Sequence, residues 1–364
     1  MNSKGMGFVG GTALVLAVGS FGYVVVAQPG SIAATSAPDA QFRTQAAAPP
    51  LVSGVAGVGI TVGDLSTSVA FYRDVLGFHQ VSEREEAGDG IEHLTGVFGA
   101  RRRTAVMQLG EEVLELSDFL APEGRPIPVD SRSNDLWFQH VAIVVRDMDL
   151  AYSHLRAHNV RHASSGPQTL PDWNPAAGGI KAFYFKDPDG HPLEVIWFPE
   201  GKGDPRWKRV ADAMPGAVFL GIDHTAIVVR NTEASLAFYQ GVLGMRVAGH
   251  SENFGTEQEH LNNVFGARLR ITGVRAERGM GVEFLEYLSP TTGRARASDS
   301  GANDLWHDQT VFTTGMKDAG ESVLRAPGVE WISPGPVDPD GAGPQGVQAL
   351  VRDPDGHAVL LRSR

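Results

Sequence analysis

At 364 residues, 42% of them hydrophobic and 20% charged, the chain is long enough for two ordinary domains and too apolar to be disordered. A net charge of -11 leaves no basic surplus for phosphates, which excludes a nucleic-acid partner; the run Arg101, Arg102, Arg103 reads as a solvated turn. The absence of cysteine excludes disulfides, thiolate metal sites and a cysteine nucleophile.

The first element in the chain is an uncharged apolar run, Phe8 to Ala27, preceded by Lys4 and closing on a Val25-x-Ala27 cleavage pattern. It reads as a secretory signal peptide, or equally as one membrane-spanning helix that keeps the N-terminus in the cytoplasm. Either way residues 1–27 predict export to the periplasm or exterior, with the segment cleaved or retained as an anchor. Residues 28–53, rich in Ala, Pro, Ser and Gln, read as a flexible tether.

Beyond residue 53 the chain repeats itself. "AFYRDVLGF" from Ala70 returns as "AFYQGVLGM" from Ala237, and "EHLTGVFGAR" from Glu92 as "EHLNNVFGAR" from Glu259. "NDLW" recurs at Asn134 and Asn303, "DPDGH" at Asp187 and Asp353. Residues 54–200 and 218–364 are therefore tandem copies, with 201–217 as a linker carrying a short helix. Each copy divides again, since "FQHVAIVVRDMDLAYSHL" from Phe138 resembles "IDHTAIVVRNTEASLAFY" from Ile222. Both are β-branched strands running into a helical pattern, which Asn231 and Thr232 would open and Gly244 would stop. Further short strands follow each helix. The chain thus holds modules 1 and 2 in its first copy and modules 3 and 4 in its second, each strand, helix, three strands.

Four βαβββ modules carrying "DHTAIVVRN", "LAFYQGVLGM" and "KDPDGHPLEVIWF" resemble the vicinal oxygen chelate superfamily, which includes glyoxalase I, extradiol dioxygenases and bleomycin-binding proteins. The resemblance spans about residues 54 to 364. It implies an α+β fold in which two modules join sheets into a half-barrel cup around one divalent metal, with ligands from the first and last strands of each module. The implied ligand positions are Gly57 and Glu115 in module 1, His140 and Glu194 in module 2, His224 and Glu286 in module 3, Gln309 and Leu360 in module 4. Strand alternation puts each polar side chain on an otherwise apolar face, such as His140 with Phe138, Ala142 and Val144.

A lone Glu194 in an apolar strand implies a cationic partner, because an unpaired buried charge costs several kcal/mol or more. If modules pair in chain order, neither cup has a full ligand set. The resemblance to fused glyoxalases implies another arrangement, module 2 with 3 and module 1 with 4, in which His140, Glu194, His224 and Glu286 form one complete set and Gly57, Gln309 and Leu360 leave the other cup without metal. Random loss would gather all three departures in that particular cup in only roughly 4 of 56 arrangements, which favours the crossed pairing.

Two imidazoles and two carboxylates suit one Ni, Co, Zn, Mn or Fe ion with open sites for a small substrate bearing vicinal oxygens. The resemblance implies a glyoxalase-like lyase or isomerase, with Glu194 or Glu286 as general base. Small thiols are scarce outside the cytoplasm, which argues against a thiol-adduct substrate. Alternatives are an Fe(II) extradiol-type dioxygenase using His140, His224 and one Glu, and a metal-free binding protein of the bleomycin-resistance kind. Both module pairs lie in one chain, which predicts a monomer. His93, His260, His191 and His357 recur in both copies and read as fold elements, Trp137 and Trp306 as packing between modules.

Overall fold

Modules 1, 2 and 3 each open on a strand rich in Val and Ile and then turn into a helix through a capping carboxylate or amide. Asp64 accepts from the Thr67 amide, Asp147 from Leu150 and Asn231 from Ala234, so three modules start their helix with the same three-residue cap. The structure, a computed structural model, describes residues 50–315, 327–341, 343 and 346–363. The signal or anchor segment, all but the end of the tether, and the helix expected in module 4 lie outside the described residues. Among those described, no helix is long and apolar enough to cross a membrane.

Module 1 supplies β1 (Val52–Val62), α1 (Leu65–Asp74), β2 (His79–Ala87), α2 (Asp89–Thr95), β3 (Arg101–Leu109) and β4 (Glu112–Ala121). Module 2 supplies β5 (Gln139–Val145), α3 (Met148–Ala157), β6 (Arg161–His162), β7 (Gln168–Thr169), β8 (Lys181–Lys186) and β9 (Pro192–Trp197). The linker carries α4 (Arg206–Ala213). Module 3 supplies β10 (Phe219–Val229), α5 (Thr232–Tyr239), β11 (Arg246–Phe254), α6 (Thr256–Asn262), β12 (Arg268–Arg275), β13 (Arg278–Gly279) and β14 (Gly281–Ser289). Module 4 supplies β15 (Asp308–Thr314), β16 (Glu330–Trp331), β17 (Gln348–Arg352) and β18 (Ala358–Ser363).

Two mixed sheets result. One runs β16-β17-β18-β15-β1-β4-β3-β2 and the other β11-β12-β14-β10-β5-β9-β8-β6. Module 1 thus shares a sheet with module 4, and module 2 with module 3, which is the crossed pairing. The seams are antiparallel, β1 against β15 and β5 against β10. One apolar core takes the outer faces of both sheets together with α1, α3 and α5, and includes Tyr72, Leu155, Phe238 and Tyr239. The inner faces remain as two separate cups.

The repeated motifs lock the two copies. Asp135 in the first "NDLW" accepts from the Arg294 Nη2 at 2.7 Å, and Asp304 in the second accepts from the Arg125 Nη2 at 2.7 Å. Each arginine also lies over the tryptophan of the partner motif, Arg294 over Trp137 and Arg125 over Trp306. The exchange is so close that a Cβ on Gly124 or Gly293 would fall 1.7 or 1.8 Å from a carbonyl oxygen of Asn303 or Asn134. In "DPDGH", Asp187 accepts from three successive amides and from His191 Nδ1, while His191 Nε2 donates to the Leu305 carbonyl. Burial works against a charge on His191, but Asp187 outweighs it and raises the imidazole to about 10. His191 and His357 belong to the fold, and His93 and His260 lie nearer the surface.

One position breaks the pseudo-symmetry at a cost. Gln139 on β5 donates to the Thr225 hydroxyl, whereas its counterpart Asp308 on β15 buries an Oδ1 with no hydrogen-bond partner. Burial lifts the Asp308 carboxyl to about 6. A folded pKa above the unfolded one penalises the native state as pH rises through that interval, and the penalty is complete above about pH 6. Asp308→Asn is therefore expected to gain on the order of 2 kcal/mol at pH 8 and almost nothing at pH 3.5. Urea unfolding at the two pH values checks it, and an equal shift at both would count against a buried charge as the cause.

Candidate metal centre

Four adjacent strands, β9, β5, β10 and β14, build the inner face of the sheet formed by modules 2 and 3. Two alanines set its geometry. Ala142 on β5 is the register partner of both His224 and Glu194, and Ala226 on β10 is the partner of both His140 and Glu283. Both alanines are fully buried, and their methyl groups leave space for four longer side chains to converge above them.

His140, Glu194 and His224 each present one donor atom within 4.8 Å of the others, the one such group of three among the described residues. His140 Nε2 lies 3.0 Å from Glu194 Oε2, and His224 Nε2 lies 3.6 Å from the same oxygen. Glu283 Oε2 approaches His224 Nε2 from the other side, also at 3.6 Å. His140, Glu194 and His224 are 1%, 5% and 7% exposed, so this cluster is screened little by solvent.

Glu286 is not part of this group. It faces the helix side of β14, where its Oε2 accepts from the Thr232 amide and hydroxyl and from Arg270. The reason is the strand period: Glu283 and Glu286 are three residues apart, so they point to opposite faces. The chain does carry a signal for the glutamate on the inner face. The strands end on Ala121-Pro122 and Ser289-Pro290, an offset of 289 − 121 = 168, and 115 + 168 = 283 makes Glu283 the counterpart of Glu115.

The residues fit a divalent ion. His224 Nε2 is buried with no hydrogen-bond partner, though it faces two carboxylates. The trio's donor atoms, with Glu194 Oε2 at 3.0 and 3.6 Å from the two imidazoles and all within 4.8 Å of one another, are compatible with ligand bonds near 2.0–2.2 Å from one centre. Burial opposes a charge on His224, but Glu283, Asp223 and Glu194 outweigh it and raise the imidazole to about 9. Burial lowers His140, against the opposing pull of Glu194, and burial raises the Glu283 carboxyl. Asp223 is a member of the site that sequence reading missed: its Oδ2 accepts from His224 Nδ1 at 3.1 Å.

The cluster lies in a cleft of about 1050 Å³, open solvent at its mouth included. Apolar walls come from Leu170, Ile180, Ile196 and Ile271, and polar groups from Arg275, Ser251, Asn253 and Gln258.

The second cup is filled by protein groups. Glu115 occupies the position of Glu283 but pairs with both terminal nitrogens of Arg362, at 2.6 and 3.0 Å. Leu360 and Gln309 stand where Glu194 and His140 stand in the first cup. A Cβ at Gly57 would lie 2.6 Å from the Val113 carbonyl oxygen, so no imidazole fits there. His307 is buried beside Gln309 and held neutral by burial and the Arg352 charge, which lower it to about 3.

The sequence pattern of the Glyoxalase/Bleomycin resistance protein/Dioxygenase superfamily matches residues 54–195 and 221–361. A 2-epi-5-epi-valiolone epimerase of Actinomyces sp is 35% identical over 149 residues, covering 40% of this chain and 79% of that protein. The lactoylglutathione lyase of Arabidopsis thaliana is 23% identical over 302 residues, covering 82% and 88%. Among solved structures, glyoxalase I of Zea mays superposes with TM-score 0.53 at 15% identity, covering 85% of this chain and 92% of that one. A putative dioxygenase from Bacillus subtilis superposes with TM-score 0.53 at 14% identity, covering 86% of each. At these identities the superpositions speak for the fold.

Proposed function

The chain belongs to the Glyoxalase/Bleomycin resistance protein/Dioxygenase superfamily, and from that premise we propose that it is a divalent-metal-dependent isomerase or lyase acting on a small substrate with vicinal oxygens. One observation carries the reading: His140, Glu194 and His224 offer buried donor atoms within 4.8 Å of one another in one cup, and Glu283 adds a second carboxylate 3.6 Å from His224 Nε2. His140, Glu194, His224 and Glu283 would hold the ion, with Glu283 in the role that the residue pattern suggested for Glu286. Such an ion supplies Lewis-acid stabilisation of negative charge developing on a substrate oxygen.

The two carboxylates are not equivalent. Glu194 is wedged between both imidazoles and its side chain is 6% exposed, while Glu283 pairs with His224 alone among the described residues and is 27% exposed where it lines the cleft. Glu283 is therefore the carboxylate free to take a proton from a carbon beside a carbonyl and return it elsewhere. Glu194 holds the imidazoles. The epimerase relative supports proton-transfer chemistry of this class. The same reading has the protein exported through Phe8–Ala27, cleaved or anchored there, and working as a monomer.

Incubation of the metal-loaded protein with small α-hydroxy ketones in D₂O tests the proposal. Deuterium should enter the position next to the carbonyl, and Glu283→Gln should slow that exchange by about 10²–10⁴-fold. A second reading is favoured by the tight trio itself, since two imidazoles and one carboxylate also form the face used by non-haem Fe(II) oxygenases. Oxygen uptake with a catechol and no deuterium exchange would select that reading. Absence of bound metal together with tight ligand binding would select the metal-free binding protein.

A further inference from the structure

We propose that the linker between the tandem copies is a working part of the metal centre: Trp207 and Arg275 fix Asp223, whose carboxylate positions His224 so that its Nε2 faces Glu194 and Glu283. The inference rests on the reading of His140, Glu194, His224 and Glu283 as ligands, and it adds positioning residues to that set.

Asp223 and His224 are neighbours, and in a regular strand their side chains would point to opposite faces. The pairing of β10 with β5 slips between Ile222 and His224, and this irregularity brings both side chains together. Asp223 Oδ2 then accepts from His224 Nδ1 at 3.1 Å. Its Oδ1 accepts from the Trp207 indole at 3.0 Å and from Arg275 Nη2 at 3.2 Å. A carboxylate held from three sides cannot swing, so the imidazole keeps its Nδ1 proton on Asp223 and leaves Nε2 for an ion. His140 has no such support, because its Nδ1 is buried without a partner.

Trp207 is placed by the other sheet. Arg206 donates to Glu112 Oε1 of β4 at 2.6 Å and to the Ile222 carbonyl at 3.3 Å, and its guanidinium lies 4.0 Å from the centre of the Trp207 ring. Glu112 Oε2 in turn accepts from the Ile222 amide at 3.1 Å. Gly221, with φ +156, permits the close approach: a Cβ there would stand 2.6 Å from Glu112 Oε2 and 2.8 Å from the Trp207 ring. Glu112, Arg206, Trp207, Asp223 and His224 form one continuous path from the sheet that lacks ligands to the sheet that has them. In the other cup the corresponding residues are Ala56 and Gly57, so carboxylate and imidazole are missing together.

The test uses the full-length protein with cobalt(II) titrated against a chelator, for wild type, Trp207→Phe, Asp223→Asn and, as reference, Glu194→Gln. Trp207→Phe keeps an aromatic ring and removes the N–H that reaches Asp223. The expected result is affinity about 10–100-fold weaker in Asp223→Asn and several-fold weaker in Trp207→Phe. Both should also show an altered visible ligand-field spectrum of the bound cobalt, which a change of stability alone would not produce. Should Asp223→Asn fail to fold, Trp207→Phe decides alone. Wild-type affinity and spectrum in the two variants, with binding lost in Glu194→Gln, would overturn the inference and leave the centre standing. Binding retained in Glu194→Gln would overturn the centre itself.

Discussion

His140→Ala and His224→Ala are each expected to lose the same single equivalent of divalent metal, while Glu286→Ala retains it. The two histidines come from different tandem copies, 84 residues apart, yet face one carboxylate oxygen at 3.0 and 3.6 Å. A four-ligand zinc site contributes about 10–16 kcal/mol, or roughly 3 kcal/mol per ligand, so losing one imidazole should weaken binding by about a hundredfold or more. Glu286 spends its carboxylate on Thr232 and Arg270, so its removal should cost the start of α5 and leave the ion alone. Metal analysis after dialysis against a weak chelator reads all three. Unequal or independent losses in the two histidine variants would mean two partial sites rather than one shared one.

Arg362→Leu is expected to destabilise the protein by about 3–5 kcal/mol without changing its metal content. Among the described residues the arginine is the one cation paired with Glu115, which is 8% exposed, and removing it strands a buried carboxylate. Replacing both at once, as Glu115→Leu with Arg362→Leu, should recover most of the loss, because an apolar pair of similar bulk avoids the desolvation altogether. The pH dependence has a definite sign. Burial raises Glu115, but Arg362 overrides it and holds the carboxyl below its ordinary value. The pair therefore stabilises at pH values above the unfolded pKa and loses that contribution as pH falls through the folded one. Chemical denaturation should show the gap between wild type and Arg362→Leu closing in acid; a constant gap would point to lost packing instead.

Much of this arrangement was legible in the residues, and the exceptions have physical causes. The tandem copies and the four modules follow from repeats, which survive folding unchanged, while the grouping of His140, Glu194 and His224 is implied by the family resemblance and agrees with two-residue alternation. The crossed pairing followed from the loss of three donors in one cup. The choice of Glu286 failed because β14 carries two glutamates, and a shift of three residues reverses the face while preserving the residue type. The strand-ending prolines hold the correcting offset. Asp223 could not have been found by alternation, since its carboxylate reaches His224 through a slip in pairing that no periodic pattern announces. The Glu115–Arg362 pair was equally hidden: the expected loss of metal was visible in Gly57 and Leu360, but not the guanidinium that replaces it.

The crossed pairing also dictates an order of assembly. Modules 2 and 3 are contiguous, so their sheet can close as soon as β14 has left the ribosome. The first described strand, β1, finds β4 within its own module but lacks a neighbour there for its other edge. That edge meets β13 at Gly54 and Val55 and then β15 along its length, both more than two hundred residues downstream, and an open edge is a template for stray pairing until it is covered. The sheet of modules 2 and 3 is therefore made from one continuous stretch of chain, whereas the sheet of modules 1 and 4 is complete only once module 4 is made, joining early and late parts of the polypeptide in one seam.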